Sequence, residues 1–136
     1  MGSAFRSPTF QDPVERTLPA LLEARAADCR DQVLAVFPDR ELTYRDLAER
    51  ARLFAGALQK LGVGKGDTVA IIVANRWEYL EIWFGICLLG AIEVPVNHGL
   101  KGKLLQHVLD DSRARVLVVE AEYLPPVEGA ISVPAN

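Results

Sequence analysis

The clearest hydrophobic pattern lies between Thr43 and Gly62. Leu47, Ala51, Phe54, Leu58 and Leu61 recur at intervals of four and three, with Arg45, Glu49, Arg52, Gln59 and Lys60 at the other positions. That spacing predicts a helix with one apolar face. Thr43, with Asp46 three residues on, is a variant of the capping box, and Gly62 is the residue type that most often ends a helix. Upstream, Leu18, Leu21, Leu22 and Ala26 predict another helix, capped by Thr17 and beginning near Pro19. Between the two helices, Val33–Phe37 and Glu41–Thr43 flank the turn signal Pro38-Asp39 and predict a short hairpin.

After Gly62 the period changes. Thr68–Val73 is a continuous apolar run of strand length, the pattern of a parallel strand buried on both faces. Asn75, followed three residues later by Glu78, is placed to cap a helix over Arg76–Leu89. That helix is apolar nearly all round, which predicts deep burial, and Gly90 ends it. Ala91–Val96 predicts a second strand. Leu100–Asp111 predicts a second helix that turns Leu104, Leu105, Val108 and Leu109 inward, and Arg115–Val119 predicts a third strand. Pro125-Pro126 is expected to break whatever follows. The predicted fold is α/β: a parallel, doubly wound βαβαβ unit with right-handed crossovers, preceded by a helix, a hairpin and an amphipathic helix. Residues 1–16 are expected to be an extended lead-in, 17–120 the folded unit and 121–136 a proline-containing tail.

Composition excludes several function classes. The chain has 136 residues, half of them hydrophobic and 24% charged, as in one ordinary globular domain. Fifteen Lys and Arg against 18 Asp and Glu leave a net charge of −3. There is no basic surplus to neutralise phosphates, so nucleic acid is not an expected partner. The longest apolar stretch, Tyr79–Val96, is interrupted by Glu81, Gly85, Gly90, Glu93 and Pro95, which argues against a membrane span. The N-terminus has no apolar signal-peptide region. Cys29 and Cys87 are far apart and outside any CxxC pair, which argues against a metal site or disulfide framework and for a reducing cytosol. Cys87, in an apolar run, is expected to be a small buried hydrophobe.

Candidate chemistry is sparse. Gly62-Val-Gly-Lys-Gly-Asp67 looks superficially like a phosphate-binding loop, but it leads from a helix into a strand, the reverse of what that chemistry needs. It predicts a helix end and tight turn. Neither strand exit, Ala74-Asn75-Arg76 or Asn97-His98-Gly99, carries the glycine pattern of a dinucleotide site. His98 follows a strand end, where open α/β sheets bind ligands, and is either functional or a solvated loop residue. His107, Asp110 and Asp111 are expected at the surface. Trp77, Trp83 and Phe84 are expected to pack in the core. The residues alone yield a soluble α/β domain without a catalytic constellation.

A resemblance extends this reading. Leu42-Thr-Tyr-Arg-Asp-Leu47 resembles the LTYxEL motif near the start of adenylate-forming enzymes. Leu61–Ile71 (LGVGKGDTVAI) and Leu89-Gly-Ala-Ile-Glu-Val-Pro-Val-Asn97 are similar to segments that follow it there, the second to a G-A-x-x-x-P-x-N motif. The similarity spans about residues 17–120. It resembles most the acyl-CoA synthetases of the carnitine/crotonobetaine-CoA ligase kind.

The resemblance implies a two-step ligase of fatty acid metabolism. A carboxylic acid attacks ATP to give an acyl-adenylate and pyrophosphate, and CoA thiol then displaces AMP. Mg²⁺, ATP and CoA would serve the full enzyme, and none is expected to bind tightly to this stretch. The implied partners are the remainder of the adenylate-forming domain and a mobile C-terminal domain, which carry the phosphate-binding loop and catalytic lysines. No catalytic or metal-ligating residue is expected here. Some members have arginine facing the CoA phosphates where this chain has Gly99; Lys101 and Lys103 would supply the charge instead. Asn97, His98, Gly99, Lys101 and Lys103 are therefore expected at a CoA entrance. The alternative is a self-standing small α/β module that binds a ligand or partner without catalysis. A fragment of a larger domain is also expected to self-associate through uncovered apolar surface.

Overall fold

The computed structural model describes residues 13–131. Helix α1 (Leu18–Asp28) is followed by strands β1 (Val33–Phe37) and β2 (Arg40–Thr43) and helix α2 (Tyr44–Lys60). Then come β3 (Thr68–Ile72), α3 (Trp77–Leu88), β4 (Ile92–Pro95), α4 (Gly102–Ser112), β5 (Val116–Val119) and α5 (Leu124–Ile131). β1 and β2 form an antiparallel hairpin. The other three strands form a parallel sheet with β3 in the centre, so that Val69 sits between Glu93 and Val116. The predicted α/β architecture is present. Residues 1–12 of the expected lead-in lie outside the described residues, and Pro13–Arg16 form a 3-10 turn instead of an extended segment.

The alternation of β3 divides the core. Val69 and Ile71 face one way, against Leu58 of α2 and Ile82 and Ile86 of α3. Ala70 and Ile72 face the other way, against Leu105 of α4 and Val127 and Ala130 of α5. Val69, Ala70, Ile71 and Ile72 are each at most 2% exposed, which is why this part of β3 is apolar without interruption. A third cluster joins Leu22, Leu42, Leu47, Ala48 and Ala51 to Leu80, Phe84 and Leu88 on another side of α3. α3 thus lies between two apolar clusters, and this explains its lack of a polar face. Its burial is less than predicted: Ile82, Gly85 and Ile86 are buried and the other residues of the helix are half-buried.

The caps follow the sequence in two cases. The Thr17 hydroxyl accepts from the Ala20 N–H at 3.3 Å, with Pro19 in the first turn. Thr43 Oγ1 accepts from the Asp46 N–H at 3.1 Å while Asp46 Oδ2 accepts from the Thr43 N–H at 3.0 Å, closing the capping box. The Thr43 hydroxyl, and then its N–H, hold the Asp46 carboxyl below its ordinary value.

Elsewhere the structure differs from expectation. Asn75 does not cap α3. Arg76 takes the N-cap position without a side-chain cap bond, and its guanidinium engages Glu78. α4 starts at Gly102 because Asn97 folds the preceding chain into a turn, its Oδ1 accepting from the Gly99 N–H at 2.8 Å and its carbonyl from the Leu100 N–H at 3.1 Å. Leu61 lies beyond the end of α2 and is exposed, and Leu104 lies off the inward face set by Leu105, Val108 and Leu109. Pro125 and Pro126 do not break the chain. They occupy the first turn of α5, where a missing N–H costs no intrahelical bond. Cys87 is half-buried, and burial together with nearby Glu93 pushes its thiol upward. No helix among the described residues is long and apolar enough to cross a membrane.

Candidate functional site

The two ends of the parallel sheet carry different chemistry. At the amino end, Gly62 (φ +83°) and Gly66 (φ +84°) make the tight turn that leads into β3, in a conformation that a side chain disfavours. Asp67 Oδ2 accepts from the Gly64 N–H at 2.8 Å and lies 3.9 Å from Arg115 Nη1, just ahead of β5. The Gly66 N–H bonds the Gly90 carbonyl at 2.9 Å. These glycines therefore serve chain reversal at the end of the sheet opposite to the one where open α/β folds bind ligands.

At the carboxyl end, three strand exits converge. β3 leads through Ala74 and Asn75 to Arg76. β4 leads through Val96 to Asn97, His98, Gly99 and Lys101. β5 leads to Glu120 and a 3-10 turn at Ala121–Tyr123. Val96 is buried in the α4–α5 side of the core and anchors its loop. Beyond it, Asn97, His98, Gly99, Lys101 and Lys103 are exposed. Lys101 is the N-cap residue of α4 and makes no side-chain cap bond.

Four residues that the sequence reading gave no part in a site, Glu120, Arg76, Glu78 and Tyr123, tie these exits together. Glu120 Oε2 accepts from the Ala74 N–H at 3.0 Å, and its Oε1 accepts from Arg76 Nη1 at 2.5 Å. Arg76 also donates to both carboxylate oxygens of Glu78. The Tyr123 ring stacks on His98, with centroids 4.9 Å apart and planes 18° from parallel. The Ala74 N–H first, and then Arg76, hold the Glu120 carboxyl below its usual range, and Arg76 does the same for Glu78. The hydrogen bond to Glu122 pushes the Tyr123 phenol up to about 12. The available signal was local: Arg76 and Glu120 are the first charged residues after β3 and β5. Their pairing spans 44 residues, which no local pattern encodes.

The remaining candidates are elsewhere. His107, Asp110 and Asp111 are exposed on α4, as predicted. Phe84 packs in the core and lies 5.4 Å from the half-buried Trp83 ring. Trp77 differs from expectation: the guanidinium carbons of Arg40 and Arg50 each lie 4.4 Å from its ring centroid. Arg40 Nε is buried without a hydrogen-bond partner among the described residues, and the aromatic face supplies the contact that solvent would have made. A cavity of about 250 Å³ lined by α1 and α2 contains Glu23, Arg30, Arg45 and Arg52, but Arg52 pairs with Glu23 and Arg45 with Asp31. Among the described residues, no group of three or more His, Cys, Asp or Glu converges as a metal site. The carboxyl end of the sheet presents a basic loop, with the Tyr123 ring stacked on its His98, beside a network of internally paired charges on the β3 exit.

Residues 22–135 match the family described as AMP-binding enzyme. Among curated relatives, naringenin synthase of Pestalotiopsis fici is 35% identical over 84% of this chain and 4% of its own length. Tyrocidine synthase 3 of Brevibacillus parabrevis is 32% identical over 90% of this chain and 2% of its own length. Crotonobetaine/carnitine–CoA ligase of Salmonella paratyphi A is 36% identical over 63% of this chain and 17% of its own length. Among solved structures, the anthranilate CoA ligase AuaEII in complex with anthranoyl-AMP superimposes with a TM-score of 0.77 at 36% identity, covering 81% of this chain and 21% of the other. A fatty acyl CoA synthetase of Mycobacterium tuberculosis gives 0.83 at 27% identity, covering 90% and 25%. The chain thus spans a quarter or less of each of these proteins. Its ordered motifs, its parallel sheet and these matches together assign it to the AMP-binding enzyme family, as the N-terminal portion of an adenylate-forming enzyme.

Proposed function

We propose that this chain belongs to an ATP-dependent, AMP-forming acyl-CoA ligase of the cytosol, which converts a carboxylic acid, ATP and CoA into acyl-CoA, AMP and pyrophosphate. The observation that carries this reading is the match to the AMP-binding enzyme family across residues 22–135. CoA ligases are among the similar proteins, at 36% identity in sequence and in structure, and this supports CoA as the acyl acceptor. In this reading the stretch supplies scaffold and part of the CoA entrance. The adenylation chemistry resides in the remainder of the adenylate-forming domain and in a C-terminal domain. Among the described residues no group of three or more His, Cys, Asp or Glu converges to hold Mg²⁺, and the carboxylates of Glu78 and Glu120 are already taken up by Arg76.

The loop Asn97–Lys103 is the proposed CoA contact. Lys101 and Lys103 are exposed at the start of α4, and the N-cap side chain, that of Lys101, makes no cap bond to the first turn. The positive end of the helix dipole and two ammonium groups together suit a phosphate. The test uses the full-length gene product with ATP, Mg²⁺, CoA and a panel of carboxylic acids. Acid-dependent ATP–pyrophosphate exchange and CoA-dependent AMP release are expected; no exchange with any acid refutes the ligase reading. A charge-assisted contact of this kind is worth about 1.5–3 kcal/mol, so Lys101→Ala with Lys103→Ala raises the CoA KM roughly tenfold or more. Pyrophosphate exchange without CoA is unaffected. An unchanged CoA KM refutes the loop assignment alone.

A further inference from the structure

We infer that Glu120 and Tyr123 are positioning residues: the segment leaving β5 is a brace that fixes the β3–α3 turn with a carboxylate and the basic β4–α4 loop with an aromatic ring. β5 neighbours β3 but not β4, so backbone pairing within the sheet does not join the β5 exit to the β4 exit. Beyond the strands, the Glu120 N–H bonds the Ile72 carbonyl at 2.9 Å, and its side chain takes the Ala74 N–H and Arg76. Three contacts thus hold the β3 exit from one residue. The Tyr123 N–H bonds the Glu120 carbonyl at 2.9 Å, which sets the phenol ring relative to that carboxylate. The ring then stacks on His98, across the central strand from its own.

On the loop side, the described fixings are local or stop at β3, where the Val96 N–H bonds the Ile71 carbonyl at 2.9 Å. Asn97 bonds Gly99 and Leu100, Val96 is buried, and Leu100 packs on the core. None of these reaches past β3 except through the packed interior, whereas the His98–Tyr123 stack does so directly. Tyr123 itself leans on the α4–α5 side of the core, so its ring has a rigid support. The brace therefore transmits the position of β5 to the residues that carry Lys101 and Lys103.

The inference rests on the reading above only for its consequence in CoA binding; the brace itself has a separate readout. Hydrogen exchange by mass spectrometry on the full-length protein compares Tyr123→Ala, Tyr123→Phe and wild type. An aromatic pair contributes enough beyond its buried area that losing it speeds exchange in peptides covering 97–103 by roughly two- to tenfold. Peptides covering β3 remain unchanged, and Tyr123→Phe, which keeps the ring, behaves as wild type. If Tyr123→Ala loosens the whole sheet, Tyr123→Leu decides, because it keeps apolar bulk without a stacking face. Loop-specific acceleration in that variant supports the brace, and an unchanged loop overturns it. Glu120→Gln is expected to speed exchange around 74–78 and to leave 97–103 near wild type; equal loosening of both segments overturns the division of labour. A loosened loop with an unchanged CoA KM supports the brace and overturns the CoA assignment.

Discussion

Two glycines, in facing helices, test how closely α2 and α3 are packed. Gly85 is buried in α3 against α2. A Cβ built there would lie 3.0 Å from the Ala51 carbonyl oxygen, 3.0 Å from Phe54 Cδ1 and 3.2 Å from the Ala55 nitrogen. Two of those atoms are backbone, so relief requires α2 to move by a few tenths of an ångström, and its Leu58 also holds the sheet cluster. Overpacking of this type costs about 1–3 kcal/mol. Replacing glycine by alanine inside a helix returns about 0.8–1.0 kcal/mol of propensity. The clash wins, and Gly85→Ala should destabilise the helix pair by about 1 kcal/mol, about a fivefold rise in opening. Gly56 of α2 is the control, because a Cβ there meets nothing within 4 Å. Gly56→Ala should stabilise by about 0.8–1.0 kcal/mol, roughly a four- to fivefold fall in opening. Native-state hydrogen exchange in peptides from α2 and α3 measures both. The same chemical change must give opposite signs at the two sites. If Gly85→Ala slows exchange as Gly56→Ala does, the reasoning from close backbone approach is wrong.

Three further outcomes are expected. Thr43→Ala should cost about 1 kcal/mol of stability at neutral pH through loss of the cap. The part of that stabilisation in which the Thr43 hydroxyl donates to the Asp46 carboxylate at 2.7 Å is complete above the ordinary carboxylate range, near pH 4, and is lost as pH falls through the lowered value, whereas the bond from the Asp46 N–H to Thr43 Oγ1 persists. The difference between mutant and wild-type melting temperatures should therefore shrink in acid without vanishing, and a constant difference down to about pH 2 argues against the ion-assisted part of the cap. The isolated 136-residue chain should give no ATP–pyrophosphate exchange with any carboxylic acid, and exchange that co-purifies with it above a protein-free blank counts against a purely scaffolding role. The isolated chain should also self-associate: β4 and β5 are both sheet edges, and Val36, Leu53, Ile92 and Leu104 are each more than half exposed. Light scattering with size-exclusion chromatography checks this, and a dye-silent monomer with a cooperative melt would favour a self-standing module.

Local chemistry determined much of this molecule in advance. The capping box at Thr43, the proline-bearing helix start after Thr17, the hairpin around Pro38-Asp39 and the doubly buried run at Thr68–Val73 are each encoded within a few neighbouring residues, and each forms where the pattern puts it. The family was legible for a related reason: its motifs are short, contiguous and in order. What the tertiary structure decided is everything that depends on residues distant in sequence. The apolar wrap of α3 reflects two clusters from different parts of the chain, so periodicity signalled burial but not its extent. Asn75 had the right residue type to cap that helix, yet Arg76 took the N-cap position and recruited Glu78 and Glu120 for its own charge. Trp77 met two guanidinium groups brought to it by the hairpin and α2. The bracing of the basic loop by Tyr123 exists only because the parallel order β4-β3-β5 brings three separate strand exits to one edge of the sheet, a proximity that depends on chain topology and on no local pattern.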